Sequence, residues 1–195
     1  MDISTKLLQS LTTEYITKRR SCAAKARERF RGQSSINAAV SAAAQCLDLQ
    51  GKRCPHQRRL RRVTLKDSEG RLLACSSSLR RCKSFDALLE RIGQALAEVS
   101  GAGELYRYDL ALRIGAYLRL RPEKVYLHAG TARGASLFGF AKRRRSIPPS
   151  SFPPPLNSLP AEEIEDLLCI YKADIAAGRR VAPKRKCNPT QCSCC

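Results

Sequence analysis

The sequence SFDALLERIGQALAEVSGAGELYRYDLALRIGAYL, residues 84–118, contains two helical patterns joined by two glycines one residue apart. In the first half, Leu88, Ile92 and Leu96 recur at helical spacing, and Ser84 is placed to cap the N-terminus. Apolar residues at helical spacing resume after the glycines and continue to residue 118. This stretch therefore predicts two helices joined by a short turn, and a mainly α-helical fold for the chain.

The residues at the turn match a known DNA-binding motif. Leu96, Val99, Gly101, Ala102 and Gly103 follow in order the pattern of the helix-hairpin-helix superfamily, which the chain resembles over residues 84–128. That superfamily includes a branch of base-excision DNA glycosylases. In it the glycines let the turn approach DNA, and the second helix presents N-terminal N–H groups to a phosphate. The resemblance implies binding that is independent of base sequence.

The chain departs from the catalytic members of that superfamily at two positions. Bifunctional glycosylases have a lysine just after the second glycine and an aspartate further along the chain, where this sequence has Leu105 and Glu123. Leucine cannot form a Schiff base, which excludes that chemistry at this site. We interpret Glu123 as the acid of a helix that begins near Pro122. The resemblance therefore favours binding without catalysis.

The positive charge of the chain indicates a polyanionic partner. The formal net charge is +19, from 36 Lys and Arg against 17 Asp and Glu. Two basic clusters stand out, at residues 52–62 and 142–145, and nucleic acids are the usual partners of such clusters, although a solvated basic face is the alternative. We expect DNA rather than RNA. The predicted contact residues are Gly101, Gly103, Lys52, Arg53, Arg58, Arg59, Arg61, Arg62, Lys142, Arg143, Arg144 and Arg145.

Composition shifts divide the chain into six predicted segments. The third segment is the expected core, in which Gly130 ends a short element, and the fifth is an amphipathic helix whose acidic residues face outward. Six of the ten prolines lie in residues 145–160 and predict a semi-rigid connector. The segments are an N-terminal helical region (1–50), a basic segment (51–83), a helix-hairpin-helix core (84–140), a basic, Pro-rich connector (141–160), a C-terminal helix (161–178) and a basic, Cys-rich tail (179–195).

Two other classes of function remain open from the sequence. A nucleic-acid-processing enzyme, related to glycosylases or nucleases, would use His128, Asp109 and Glu123, the available acid–base candidates. A protein-interaction or metal-responsive factor would use the Pro-rich segment and the cysteine tail, since thiolates bind soft metals. The candidate metal ligands are Cys54, His56, Cys187, Cys192, Cys194 and Cys195. We predict no cofactor, and the sequence does not decide whether the tail binds a metal.

The expected setting is the bacterial cytoplasm. Residues 108–118, 122–131 and 163–172 resemble a group of uncharacterised bacterial proteins. The longest apolar run, INAAVSAAAQCL at residues 36–47, is too short to cross a membrane, and charged residues occur throughout the first 20 positions. We therefore expect no membrane partner, and the ten cysteines indicate reduced thiols, a metal site or a redox role rather than a disulfide framework.

Overall fold

The computed structural model describes residues 3–47, 51–54, 57–141 and 143–181. It confirms the mainly α-helical prediction, because 64% of the chain is helical and the described residues contain a single, two-stranded sheet. None of the described helices is long and apolar enough to cross a membrane. The elements are α1 (Thr5–Lys18), α2 (Arg20–Arg31), α3 (Ile36–Ala44), α4 (Arg62–Ala74), α5 (Ser76–Arg80), α6 (Phe85–Ala95), α7 (Glu104–Leu118), β1 (Val125–Tyr126), α8 (Ala129–Ser136), β2 (Ser146–Ile147) and α9 (Ala161–Ala177).

The chain forms two compact units. The central unit comprises residues 23–121, and the terminal unit combines the described parts of residues 1–22 and 122–194. The boundary after Arg121 differs from the expected core at residues 84–140. Residues 122–140 instead contribute β1 and α8 to the terminal unit, where Val125 and Ala135 are fully buried beside α1 and α9.

Local sequence signals account for the helices of the central unit. The hydroxyl of Ser84 accepts a hydrogen bond from the backbone N–H of Ala87 at 3.2 Å, which confirms Ser84 as the N-cap of α6, and the Ser35 hydroxyl caps α3 by accepting from the N–H of Ala38 at 3.1 Å. The small residues of α3 let it pack closely against α7 and α4. The helix ends at Ala44.

The segment after α7 differs from the sequence prediction. Arg119 adopts a left-handed conformation with φ of 59° and ends α7. No helix begins at Pro122, because the chain extends into β1, which pairs antiparallel with β2. Glu123 is therefore an exposed loop residue, and Gly130 lies in the first turn of α8 rather than at the end of an element.

The terminal unit is built on the close contact of α8 with α9. A Cβ atom on Gly134 would lie 2.5 Å from the backbone oxygen of Leu168, so only glycine permits this approach. Leu8, Leu11 and Ile164 complete the core. The Pro-rich segment also contributes to it, since it forms two 3₁₀ turns and buries Phe152, Leu156 and Leu159.

The acidic residues of α9 do not face outward as predicted. Glu162, Glu163, Glu165 and Asp174 are all buried. Glu163 receives a bidentate ion pair from Arg20, with the shortest contact at 2.7 Å, and Glu165 accepts a hydrogen bond from the Thr131 hydroxyl at 2.5 Å. These partners, which are distant in sequence, take the place of the water that would solvate outward-facing acidic residues.

Candidate nucleic-acid interface

The turn between α6 and α7 uses its two glycines differently. Gly101 has a φ of +84°, and a Cβ atom there would lie 3.2 Å from the Thr64 hydroxyl oxygen. Gly103, which precedes α7, has an ordinary φ of −72°, and nothing lies within 4 Å of its Cβ position. The backbone conformation therefore requires glycine at position 101, whereas position 103 has room for a larger side chain.

Contacts with other parts of the central unit fix the turn in place. The Thr64 hydroxyl donates a hydrogen bond to the backbone oxygen of Ser100 at 2.9 Å. The Arg107 guanidinium donates to the backbone oxygen of Leu96, also at 2.9 Å. Ala102 is 3% exposed, so the middle of the turn is anchored in the core while both glycines remain exposed. The turn is a fixed surface feature.

The basic segment and the turn meet in one cleft of about 320 Å³, which we call the turn cleft. Two of its residues, Arg59 and Arg61, were predicted from the charge pattern, and Gly101 was predicted from the glycine motif. The side chain of Val63 is 61% exposed there. The lining residues are Arg59, Leu60, Arg61, Val63, Thr64, Asp67, Ser100 and Gly101. Two sequence features about 40 residues apart thus lie at a single site.

A second groove, of about 270 Å³, lies where α3 and the segment after it meet α4, and we call it the α4 groove. It contains two further predicted residues, Arg53 and Arg62, together with Lys66. Its position follows from an isolated antiparallel bridge between Leu47 and Arg53. The lining residues are Ala44, Gln45, Leu47, Arg53, Arg62, Leu65, Lys66 and Glu69.

The remaining predicted contact residues lie elsewhere. Lys52 and Arg58 are exposed in the segment before α4. Three residues of the second basic cluster, Arg143, Arg144 and Arg145, are exposed in the terminal unit between α8 and β2, and Lys142 lies outside the described residues. Sequence reasoning missed Thr64, Ser100 and Lys66, and only the hydrophilic character of these residues hinted at a surface role.

Arg113 links the segment that carries the basic residues to α7. Its side chain is 5% exposed and donates to the backbone oxygen of Ala43 at 3.0 Å and to Cys54 Sγ at 3.3 Å. Its guanidinium carbon also lies 5.7 Å from the centre of the Phe30 ring. A buried charge with several partners holds the start of the basic segment in a defined place.

The three candidate acid–base residues differ in their exposure to solvent. Asp109 is buried and accepts a short hydrogen bond from the Gln57 amide. His128 is half-buried at the N-terminus of α8. Both His128 and the exposed Glu123 belong to the terminal unit. Leu105, at the position of the glycosylase lysine, is 39% exposed. Its side chain has no group for nucleophilic catalysis.

The cysteines of the described residues form no metal centre. Within that part of the chain no three His, Cys, Asp or Glu side chains are placed to hold an ion. His56 and the tail cysteines predicted as metal ligands lie outside it. Five cysteines, at positions 46, 54, 75, 82 and 169, are free thiols.

The two fully buried thiols, those of Cys46 and Cys54, lie on the paired segments at the start of the basic region. The Cys54 N–H donates to the Cys46 backbone oxygen at 2.9 Å. Burial raises the pKa of the Cys46 thiol above its usual value, and the Arg113 guanidinium opposes this rise. Cys46 therefore acts here as a neutral, buried side chain.

Comparisons with protein families, with curated proteins and with solved structures found no match to this chain.

Proposed function

We propose that the protein binds DNA through its sugar-phosphate backbone, independently of base sequence and without catalysis. The observation that carries this proposal is the turn cleft, in which Arg59 and Arg61 lie beside Ser100 and Gly101. Arginine side chains and an exposed backbone turn are the groups that recognise phosphate in such complexes.

The geometry of α6, the turn and α7 suits a helix-hairpin-helix motif. Both glycines are exposed, but the N–H groups of Ala102 and Gly103 already donate to the backbone oxygens of Val99 and Gly101, at 3.1 and 3.0 Å. The N-terminus of α7 follows directly, and its partial positive charge favours an anion. Glu104 opposes this attraction, so most of the affinity would come from the arginines.

The charge of the rest of the protein would add to binding at the turn cleft. Arg143, Arg144 and Arg145 provide a second exposed cluster, on the terminal unit. Such charges attract DNA over distances comparable to the Debye length, which is about 8 Å at physiological salt. In this proposal these arginines attract DNA in general, whereas the turn cleft positions the DNA backbone.

A pair of charge-matched variants tests the turn cleft. Arg59→Gln/Arg61→Gln removes both of its arginines, and Arg80→Gln/Arg81→Gln removes two exposed arginines at the end of α5. At constant salt the first variant should bind duplex DNA about tenfold more weakly or worse, because two phosphate contacts are lost, and the second should change affinity much less. Equal losses in the two variants would show that only net charge matters, and would refute the site.

A further inference from the structure

We infer that the α4 groove binds a second part of the same DNA backbone, with Arg53, Arg62 and Lys66 around a phosphate and Leu47 and Leu65 against the adjoining sugar. This inference rests on the proposed function and extends it. It adds a second phosphate site, a role for Lys66, which the charge pattern did not single out, and a preference for deoxyribose over ribose.

The charge of the groove favours an anion. Three cationic side chains line it together with one carboxylate, that of Glu69, whereas the turn cleft has two arginines and Asp67. Arg62 and Lys66 are exposed and lie one helical turn apart on α4. Residues four apart on a helix lie on the same face, so both side chains can reach the same ligand.

Arg53 supplies an independent sign of an incomplete site. Its Nε atom is buried and has no hydrogen-bond partner among the described residues. The one hydrogen bond that its side chain is seen to make is long, 3.4 Å from Nη1 to the backbone oxygen of Leu60. A buried donor without a partner is costly and is rare in native structures. Because this atom has almost no accessible surface, a phosphate oxygen would reach it only after the side chain turns towards the groove.

The apolar part of the groove indicates which sugar fits. Ala44 and Leu65 are buried and Leu47 is half-buried. Leu47 and Leu65 can contact the carbon face of a deoxyribose and offer no partner to the 2′-hydroxyl of a ribose, although Gln45 and Glu69, which can hydrogen-bond a hydroxyl, also line the groove. Burying that hydroxyl against leucine would carry a desolvation cost, and the 2′-hydroxyl is the group by which proteins distinguish RNA from DNA.

The two sites lie on different faces of α4, so we assign them different phosphates. They lie on either side of the first turn of α4, since Arg61, Val63 and Thr64 line the turn cleft while Arg62, Leu65 and Lys66 line the groove. A helix with its side chains is about 10–12 Å across. The groove therefore adds phosphate contacts rather than duplicating those of the turn cleft.

The test measures the salt dependence of duplex-DNA affinity for the full chain and three variants. The groove variant is Arg53→Gln/Arg62→Gln/Lys66→Gln, and Arg62→Gln/Lys66→Gln keeps the half-buried Arg53 in case the triple variant is unstable. The control, Arg80→Gln/Arg81→Gln/Lys83→Gln, removes the same charge from exposed positions. The slope of log affinity against log salt reports the number of phosphates neutralised, at about 0.9 per contact.

The inference expects the groove triple variant to reduce the slope by about 1 relative to the wild type, because one phosphate contact is lost, the groove double variant by a similar or smaller amount, and the control by much less. Groove variants that behave like the control would overturn the inference, and if Arg59→Gln/Arg61→Gln still weakened binding, the proposed function would stand without it. A wild-type protein that shows no salt-dependent binding would overturn both.

Discussion

The Thr64 hydroxyl donates a hydrogen bond to the backbone oxygen of Ser100 at 2.9 Å and so joins the first turn of α4 to the turn that contains Gly101. The two residues are 36 positions apart, and each belongs to a different predicted segment. This contact brings the arginines that precede α4 to the glycine turn. The turn cleft therefore depends on the bond between these two residues.

Replacing Thr64 with valine should weaken both the fold and the cleft. The change leaves the Ser100 oxygen without this donor, so we expect a loss of about 1 kcal/mol in the free energy of unfolding of the central unit, measured by urea denaturation. DNA affinity should fall as well. Thr64→Ser retains the hydroxyl and serves as the control. Equal stability of the valine and serine variants would contradict a structural role for the hydrogen bond.

The two glycines of the turn should respond differently to substitution. Gly101→Ala places a Cβ in a left-handed conformation, which costs about 1–2 kcal/mol, and directs it at Thr64. Gly103→Ala meets no atom, so it should lower the unfolding free energy less, by no more than about 1 kcal/mol, because alanine is a poorer N-cap residue for α7 than glycine. Thermal denaturation of the two variants compares them directly. A larger loss at residue 103 would contradict this account of the turn.

Gly103→Val tests whether the turn backbone approaches the ligand. Because space around residue 103 is open, the variant should fold normally by circular dichroism. If the backbone lies against a phosphate, the added side chain should reduce DNA affinity severalfold. Lys66→Val, which removes a groove cation without touching the turn, shows how much affinity one cation contributes. Wild-type affinity in Gly103→Val would place the ligand away from the turn.

The protein should prefer DNA to RNA of the same sequence and length. The apolar part of the α4 groove gives no hydrogen-bond partner to a 2′-hydroxyl, so at constant salt we expect duplex DNA to bind several times more tightly than duplex RNA. Competition with unlabelled DNA and RNA measures the ratio. Equal or tighter binding of RNA would contradict the placement of the sugar against Leu47 and Leu65.

The buried thiol of Cys46 should make the fold less stable at alkaline pH. Burial raises its pKa in the folded protein above the value of about 8.5 that it has when unfolded, so the neutral thiol favours the folded state at lower pH. This stability is fully present below the unfolded pKa and is lost as pH rises towards the folded pKa. Denaturation between pH 7 and pH 10 should show the loss, and Cys46→Ala should reduce it. An unchanged pH dependence in that variant would contradict the assignment.

Short-range signals in the sequence predicted much of the fold. The N-cap Ser84, the apolar face of α6 and the helix of residues 161–177 depend on residues close together in the chain, and each was predicted. The burial of the acidic residues of α9 was not predicted. Glu163 is buried because Arg20, 143 residues away, reaches it, and no local pattern encodes such a partner.

The same distinction applies to the candidate site. Gly101 and the arginine-rich segment were each recognised from the sequence, but their common cleft depends on the Thr64–Ser100 contact. The separation of Arg53 and Arg62 into another groove depends on the bridge between Leu47 and Arg53 and on how α4 packs against α3. The density of basic residues in the sequence predicts a negatively charged partner. Which of these residues share a site depends on tertiary packing.

The most direct test of the central claim is the affinity of the purified wild-type protein for a duplex DNA of arbitrary sequence, measured between about 50 and 200 mM salt. A protein that neutralises several phosphates should lose orders of magnitude in affinity over that range, with little difference between unrelated sequences. Absence of binding at low salt, or an affinity that salt does not change, would contradict the assignment of this protein as a backbone-contacting DNA binder.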